Sequence, residues 1–123
     1  MPRYIPTLTI LCLFSLLGSG CSKQVSYAKD VYPILEENCL ECHKEGGKGQ
    51  IASGFSMETY EDMMKGTKYG PVIVPGSGFS STMAILMEHK ADPVLNMPHN
   101  QQPLSEEEIE TIKVWIDQGA KNN

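Results

Sequence analysis

Cys39-Leu40-Glu41-Cys42-His43 is the stretch on which the reading of this chain turns. Two thiols stand three residues apart, which on a helix places them on one turn, and an imidazole follows directly. Several chemistries use such a pair. Structural zinc wants four nitrogen or sulfur ligands, and beyond these three residues the chain offers only His89 and His99, with no second C-x-x-C. A thioredoxin-like redox pair opens a helix after a strand. Here Val31, Ile34, Leu35 and Asn38/Cys39 carry helical spacing up to the motif, so it closes a helix, and no βαβ pattern surrounds it. A plain disulfide would account for the thiols and leave His43 a coincidence.

The remaining chemistry uses every residue of the motif. C-x-x-C-H is the attachment signature of c-type haem. Two thiols on one turn add to the two vinyl groups of the porphyrin, and the adjoining histidine then lies beneath the iron and gives it Nε2. Its other ring nitrogen must donate to an acceptor that sets the tautomer, often a backbone carbonyl. One covalent haem c is therefore expected, held by Cys39, Cys42 and His43.

A sixth iron position remains. Met97, in Asn96-Met97-Pro98, lies in a proline-bearing loop before the last helix, where its backbone is able to present sulfur to a buried plane. Met57, Met63, Met64, Met83 and Met87 are read on helices at apolar spacing, as packing around the porphyrin. His99, on the same loop, is the rival ligand, with exposure as its plainer reading. His89, beside Glu88 and Lys90, reads as solvated. Methionine/histidine ligation raises the reduction potential relative to bis-histidine haem and fills both axial sites. Such an iron passes electrons and does not readily bind substrate.

Toward the amino end, Arg3 is followed by an apolar run from Leu8 to Leu17, broken by Thr9 and Ser15, and then by Gly18, Ser19 and Gly20. A run of about ten residues is too short for a bilayer span, which needs roughly 20, and reads as an export signal. Leu17-Gly18-Ser19-Gly20-Cys21 resembles a bacterial lipoprotein signal, with glycine at position 18 where leucine is commoner. The resemblance implies cleavage before Cys21, its lipidation, and a membrane anchor; the alternative is an ordinary signal with an incidental cysteine. Ser22, in place of the aspartate of inner-membrane retention, leans to the outer membrane. Residues 1–20 are thus read as a removed signal, 21–26 as a tethered linker and 27–121 as a monohaem domain. From Cys21 onward the chain has nine lysines, no arginine and fifteen acids, a net charge of −6. That argues against a nucleic-acid binder, and a partner should be basic or weakly charged.

The rest reads as all-α, about four helices with long loops. The first runs from near Ser26 to about Cys42, with Pro33 tolerated if the regular helix begins at Val31. A loop is expected over Lys44 to Phe55, then a helix capped by Ser56 that stops at Gly66. An extended stretch covers 67–79, a third helix runs from about Ser80 to His89, and Pro93, Pro98 and Pro103 enforce a second irregular stretch. In the last helix Ser105 and Glu108 form a capping box, Leu104 and Ile109 a hydrophobic staple, and Gly119 the stop. Its buried face is read as Ile109, Ile112 and Ile116, with Trp115 at the margin.

With these residues in view, the chain resembles class I cytochromes c, and more closely a group of small bacterial monohaem domains that includes the planctomycete-type cytochrome c domain. The likeness runs from Asp30-Val31-Tyr32-Pro33-Ile34-Leu35 through Cys39 to His43, then Val74-Pro75-Gly76, Met97-Pro98, and Leu104-Ser105 through Trp115-Ile116 to Gly119-Ala120. It departs at Lys44, where many relatives carry glycine, and over Gln50 to Ser53. The resemblance implies thioether bonds at Cys39 and Cys42, axial ligation by His43 and Met97, and first and last helices crossing over the haem. Ile34, Leu35, Met83, Leu86, Ile112 and Trp115 are expected to shield the macrocycle. The expected function is extracytoplasmic electron transfer between redox proteins by a membrane-tethered carrier that is not an enzyme. The alternative is a haem enzyme subunit or sensor in which the methionine is displaced.

Overall fold

A computed structural model describes Met1 and residues 23–123, so the export signal and Cys21 lie outside the described residues. Among the described residues the chain is helical, with one isolated bridge between Thr67 and Gly70 and no strand.

The first helical piece is not continuous. A π-helical turn, Tyr27–Val31, is capped by Ser26, whose Oγ accepts from the Lys29 N–H. It runs into α1 (Tyr32–Asn38), which carries Pro33 in its first turn, where the missing N–H has no intrahelical partner to lose. At Cys39 the backbone (φ −127°, ψ −37°) leaves the helical region, and α2 (Leu40–His43) starts afresh.

Two expectations are corrected in the next segment. Lys44 to Phe55 is not all loop, since it contains α3 (Lys48–Ser53), entered from Gly47 and ended by Gly54 in the left-handed region at φ +76°. Four glycines disguised a short helix whose terminal glycines are its caps. The following helix, α4 (Tyr60–Lys65), begins later than Ser56. Its cap is Thr59, which accepts from the Asp62 N–H at 3.0 Å, while Ser56 Oγ serves only the turn at Glu58. Met57 therefore precedes the helix. α5 (Thr82–Met87) is shorter than expected at both ends. Among the described residues six α-helices thus stand where about four were expected, because the first piece breaks at Cys39 and the loop after it holds α3.

α6 (Glu106–Asp117) matches its sequence signals closely. Ser105 Oγ accepts from the Glu108 N–H, and the Glu108 carboxylate accepts from the Ser105 N–H and Oγ–H. Leu104 is buried and Ile109 half-buried, as the staple requires. Trp115, expected at the margin, is 1% exposed. The reason is an aromatic cluster with Tyr27 (5.5 Å) and Tyr60 (6.5 Å), and Trp115 Nε1–H donates to the Lys121 carbonyl. Burying large side chains of this kind contributes about 1.5–3 kcal/mol each. α6 packs against the Tyr27–Val31 turn and against α5, so the last helix joins the first helical piece to the segment that leads into the Met97 loop.

Candidate haem site

α2 positions the motif. The Cys39 carbonyl accepts from the N–H groups of Cys42 (3.2 Å) and His43 (3.0 Å), closing one tight turn that carries both thiols and the imidazole. Both cysteines are free, Cys39 half-buried and Cys42 exposed. Burial, reinforced by Cys42 and by Glu108 on α6, pushes the Cys39 thiol up to about 11. Redox-active pairs lower a thiol pKa, so this environment is unlike a thioredoxin site. Among the described residues no three His, Cys, Asp or Glu side chains converge on one point, as a zinc site requires.

His43 is 8% exposed and held from three sides. Its main-chain carbonyl accepts from the Met57 N–H at 2.8 Å. The Phe55 ring meets the imidazole edge-on, with centroids 5.3 Å apart, and the Phe55 carbonyl lies 3.1 Å from Nδ1. A carbonyl only accepts, so Nδ1 carries the proton and the lone pair is left on Nε2, the tautomer that a metal-binding histidine needs. The acceptor that the motif demands is therefore the Phe55 carbonyl. α3 lies flat on the same ring, since a Cβ at Gly49 would stand 2.7 Å from His43 Cε1 and 2.9 Å from Nε2. The path from sequence to site is local: Ser53 Oγ closes α3 onto the Gly49 carbonyl at 2.6 Å, and Gly54 reverses the chain to deliver Phe55.

These features fit haem c. Two free thiols share a turn, Nε2 makes no hydrogen bond among the described residues, and the glycine at position 49 leaves the ring face unobstructed by a side chain. Of the residues expected around the macrocycle, Leu35, Met83, Ile112 and Trp115 are buried, whereas Ile34 and Leu86 are half-buried. Met57, Met63 and Met87 are also buried and Met64 half-buried.

Met97 is half-buried in the loop between α5 and α6, its N–H donating to the Leu86 carbonyl at 3.1 Å. His99 is exposed. His89, expected to be solvated, is instead half-buried, with Nε2 3.1 Å from the Met97 carbonyl. A left-handed backbone at His89, φ +53°, turns the chain back on itself at the end of α5 and aims the ring at the returning loop. Phe55 and Gly49, both against the His43 ring, were not anticipated from the sequence. Gly49 left a faint trace, as a glycine inside an otherwise helical hexamer; a backbone acceptor such as Phe55 leaves none.

A family model described as Planctomycete cytochrome C matches residues 39–100, just over half of the chain, from the first motif cysteine past Met97. The chain belongs to this family of haem-binding electron carriers. No curated protein and no solved structure matches it.

Proposed function

We propose that this protein is a membrane-tethered, extracytoplasmic carrier of single electrons with one covalent haem c and His43/Met97 axial ligation. The observation that carries the reading is the His43 ring, with Nδ1 committed to the Phe55 carbonyl and Nε2 left beside two free thiols on one turn. Bound haem supplies the one-electron chemistry of its iron. Cys39 and Cys42 would hold the macrocycle, and His43 Nε2 and the Met97 sulfur would be the iron's protein ligands. Phe55 and Gly49 hold the imidazole in orientation. The hydrogen bond from Nδ1 to the Phe55 carbonyl fixes the tautomer and the orientation of the ring.

A haem enzyme would need an acid or base poised over the iron, and a sensor a methionine that gives way to its ligand. The two further histidines do not suit the acid or base role, His99 being exposed and His89 committed to the Met97 carbonyl. Cys21 is assigned the lipid, and the haem domain, read as 27–121 with 21–26 as its linker, also takes in Val25 and Asn123 through hydrogen bonds to Gln118 and Tyr27. Among the described residues no helix is long and apolar enough to cross a membrane. An acidic chain favours partner redox proteins with lysine-rich docking faces, engaged less firmly as salt rises.

The test is expression of the full chain with haem-attachment machinery. A haem-staining band after denaturing electrophoresis is expected, lost in Cys39→Ala/Cys42→Ala, and metabolic acyl labelling lost in Cys21→Ala. Met97→Ala should lose the sulfur-to-iron charge-transfer band of the ferric protein. A colourless band from the parent chain overturns the haem reading, and an unlabelled parent chain overturns the anchor.

A further inference from the structure

We infer that His89 is a positioning residue that clamps residue 97 against the end of α5 and so holds the methionine in place as an iron ligand. The inference rests on the His43/Met97 reading above. It is carried by the way both backbone groups of Met97 are bonded to the same helix end.

Ten residues separate Met87 from Pro98, and the chain between them folds back on itself. The Leu95 N–H donates to the Asp92 carbonyl at 2.8 Å, and the Val94 N–H to Asp92 Oδ1 at 3.0 Å. Asn96, 9% exposed, accepts at Oδ1 from the Ala91 N–H at 3.3 Å. These turns return Met97 to α5, where its N–H meets the Leu86 carbonyl at 3.1 Å and its carbonyl meets His89 Nε2 at 3.1 Å. Since a carbonyl only accepts, Nε2–H is the donor. Residue 97 is thus bonded on its amino and carboxyl sides, and its side chain is left to project from a backbone with both ends held.

The anchor does not float. Leu86 sits in α5, and the next residue but one, Glu88, is bound by Lys113 of α6 at 2.7 Å and by Lys90 at 3.0 Å. The end of α5 is therefore tied to the helix that forms the core, and His89 transmits that fixity to the loop. The residue is also suited to its backbone: φ +53° is a region that histidine, asparagine and glycine enter more readily than other side chains.

Loss of one such hydrogen bond shifts a local equilibrium by roughly five- to tenfold. An added ligand such as imidazole binds only the fraction of iron from which methionine has left, so its apparent affinity reports that equilibrium directly.

The experiment uses the haem-loaded protein and reads the ferric sulfur-to-iron charge-transfer band together with imidazole titration. His89→Gly removes the ring without straining the backbone and should weaken the band and raise imidazole affinity roughly fivefold or more. His89→Asn keeps the backbone preference with an amide too short to reach, and should behave like the glycine variant if that variant does not accumulate. His89→Gln, whose amide N–H is long enough, should recover part of the parent behaviour. A glycine or asparagine variant with parent band and parent imidazole affinity overturns the clamp. Met97→Ala separates the two claims: a band that survives there overturns the ligand assignment, whereas a band lost in Met97→Ala, with band and imidazole affinity both at parent values in His89→Gly, overturns the clamp alone.

Discussion

Gly49 shows how a single missing Cβ shapes the site. Inside a helix, exchanging glycine for alanine ordinarily stabilises by about 0.5–1 kcal/mol. Here the new methyl would meet the His43 ring at 2.7 Å, with all three nearest atoms belonging to the imidazole. That ring is pinned by the Phe55 carbonyl and cannot swing aside. Overpacking of this kind costs about 1–3 kcal/mol, so the clash outweighs the propensity. Gly49→Ala is expected to lower stability by about 1–2 kcal/mol in urea unfolding of the haem-loaded protein. A variant as stable as the parent would show that the imidazole yields freely. The motif itself was legible at this scale because its spacing is its chemistry. The partners of His43 were not, since a main-chain carbonyl twelve residues away is the same group whatever side chain it bears.

At the scale of elements, α6 carries the strongest local signals and follows them. Its capping box also sets a pH dependence. Hydrogen bonds from the Ser105 hydroxyl, and next from its N–H, hold the Glu108 carboxyl below the usual glutamate range. A group whose folded pKa is depressed contributes stability above its unfolded value, and that contribution disappears as pH falls through the folded one. Ser105→Ala should therefore cost about 1 kcal/mol at neutral pH. The deficit should shrink on acidification below about pH 4. Unfolding midpoints of the two proteins measured across that range check it, and a deficit independent of pH would place the whole effect in the cap's hydroxyl and none in the carboxylate. α3 is the contrasting element. Six residues with one glycine inside and one at each cap have no helix-forming surplus, and what holds them is packing on the His43 ring, which no apolar periodicity within them signals.

At the scale of the whole molecule, the two ends of the described fold, residues 23–28 and 118–123, are bonded to each other. Val25 N–H donates to Gln118 Oε1 at 2.7 Å, and Gln118 Nε2–H reaches the Lys23 carbonyl. Asn123 takes Tyr27 N–H on Oδ1 at 2.8 Å and Ala28 N–H on its carbonyl at 3.0 Å. The stretch that enters the fold is thereby stitched to the stretch that leaves α6. Replacing Gln118 and Asn123 together by alanine should cost about 1–3 kcal/mol. Faster amide exchange is expected at Val25 and Tyr27, whose acceptors are the deleted side chains, with α6 itself still protected. Unchanged protection at those two amides would show that the aromatic cluster around Tyr27 suffices to hold the entering segment.

By itself the sequence determined the helical class, the attachment motif and α6 with its caps, because each rests on spacing or on rules that act within a few residues. Tertiary structure alone decided the tautomer of His43, the closeness of Gly49 to its ring and the bond from His89 to the Met97 carbonyl. Each of these depends on where a backbone group from one segment meets a side chain from another. Such a meeting is set by the packing of α5 and α6, and by the reversal at Gly54, after the local rules have had their effect.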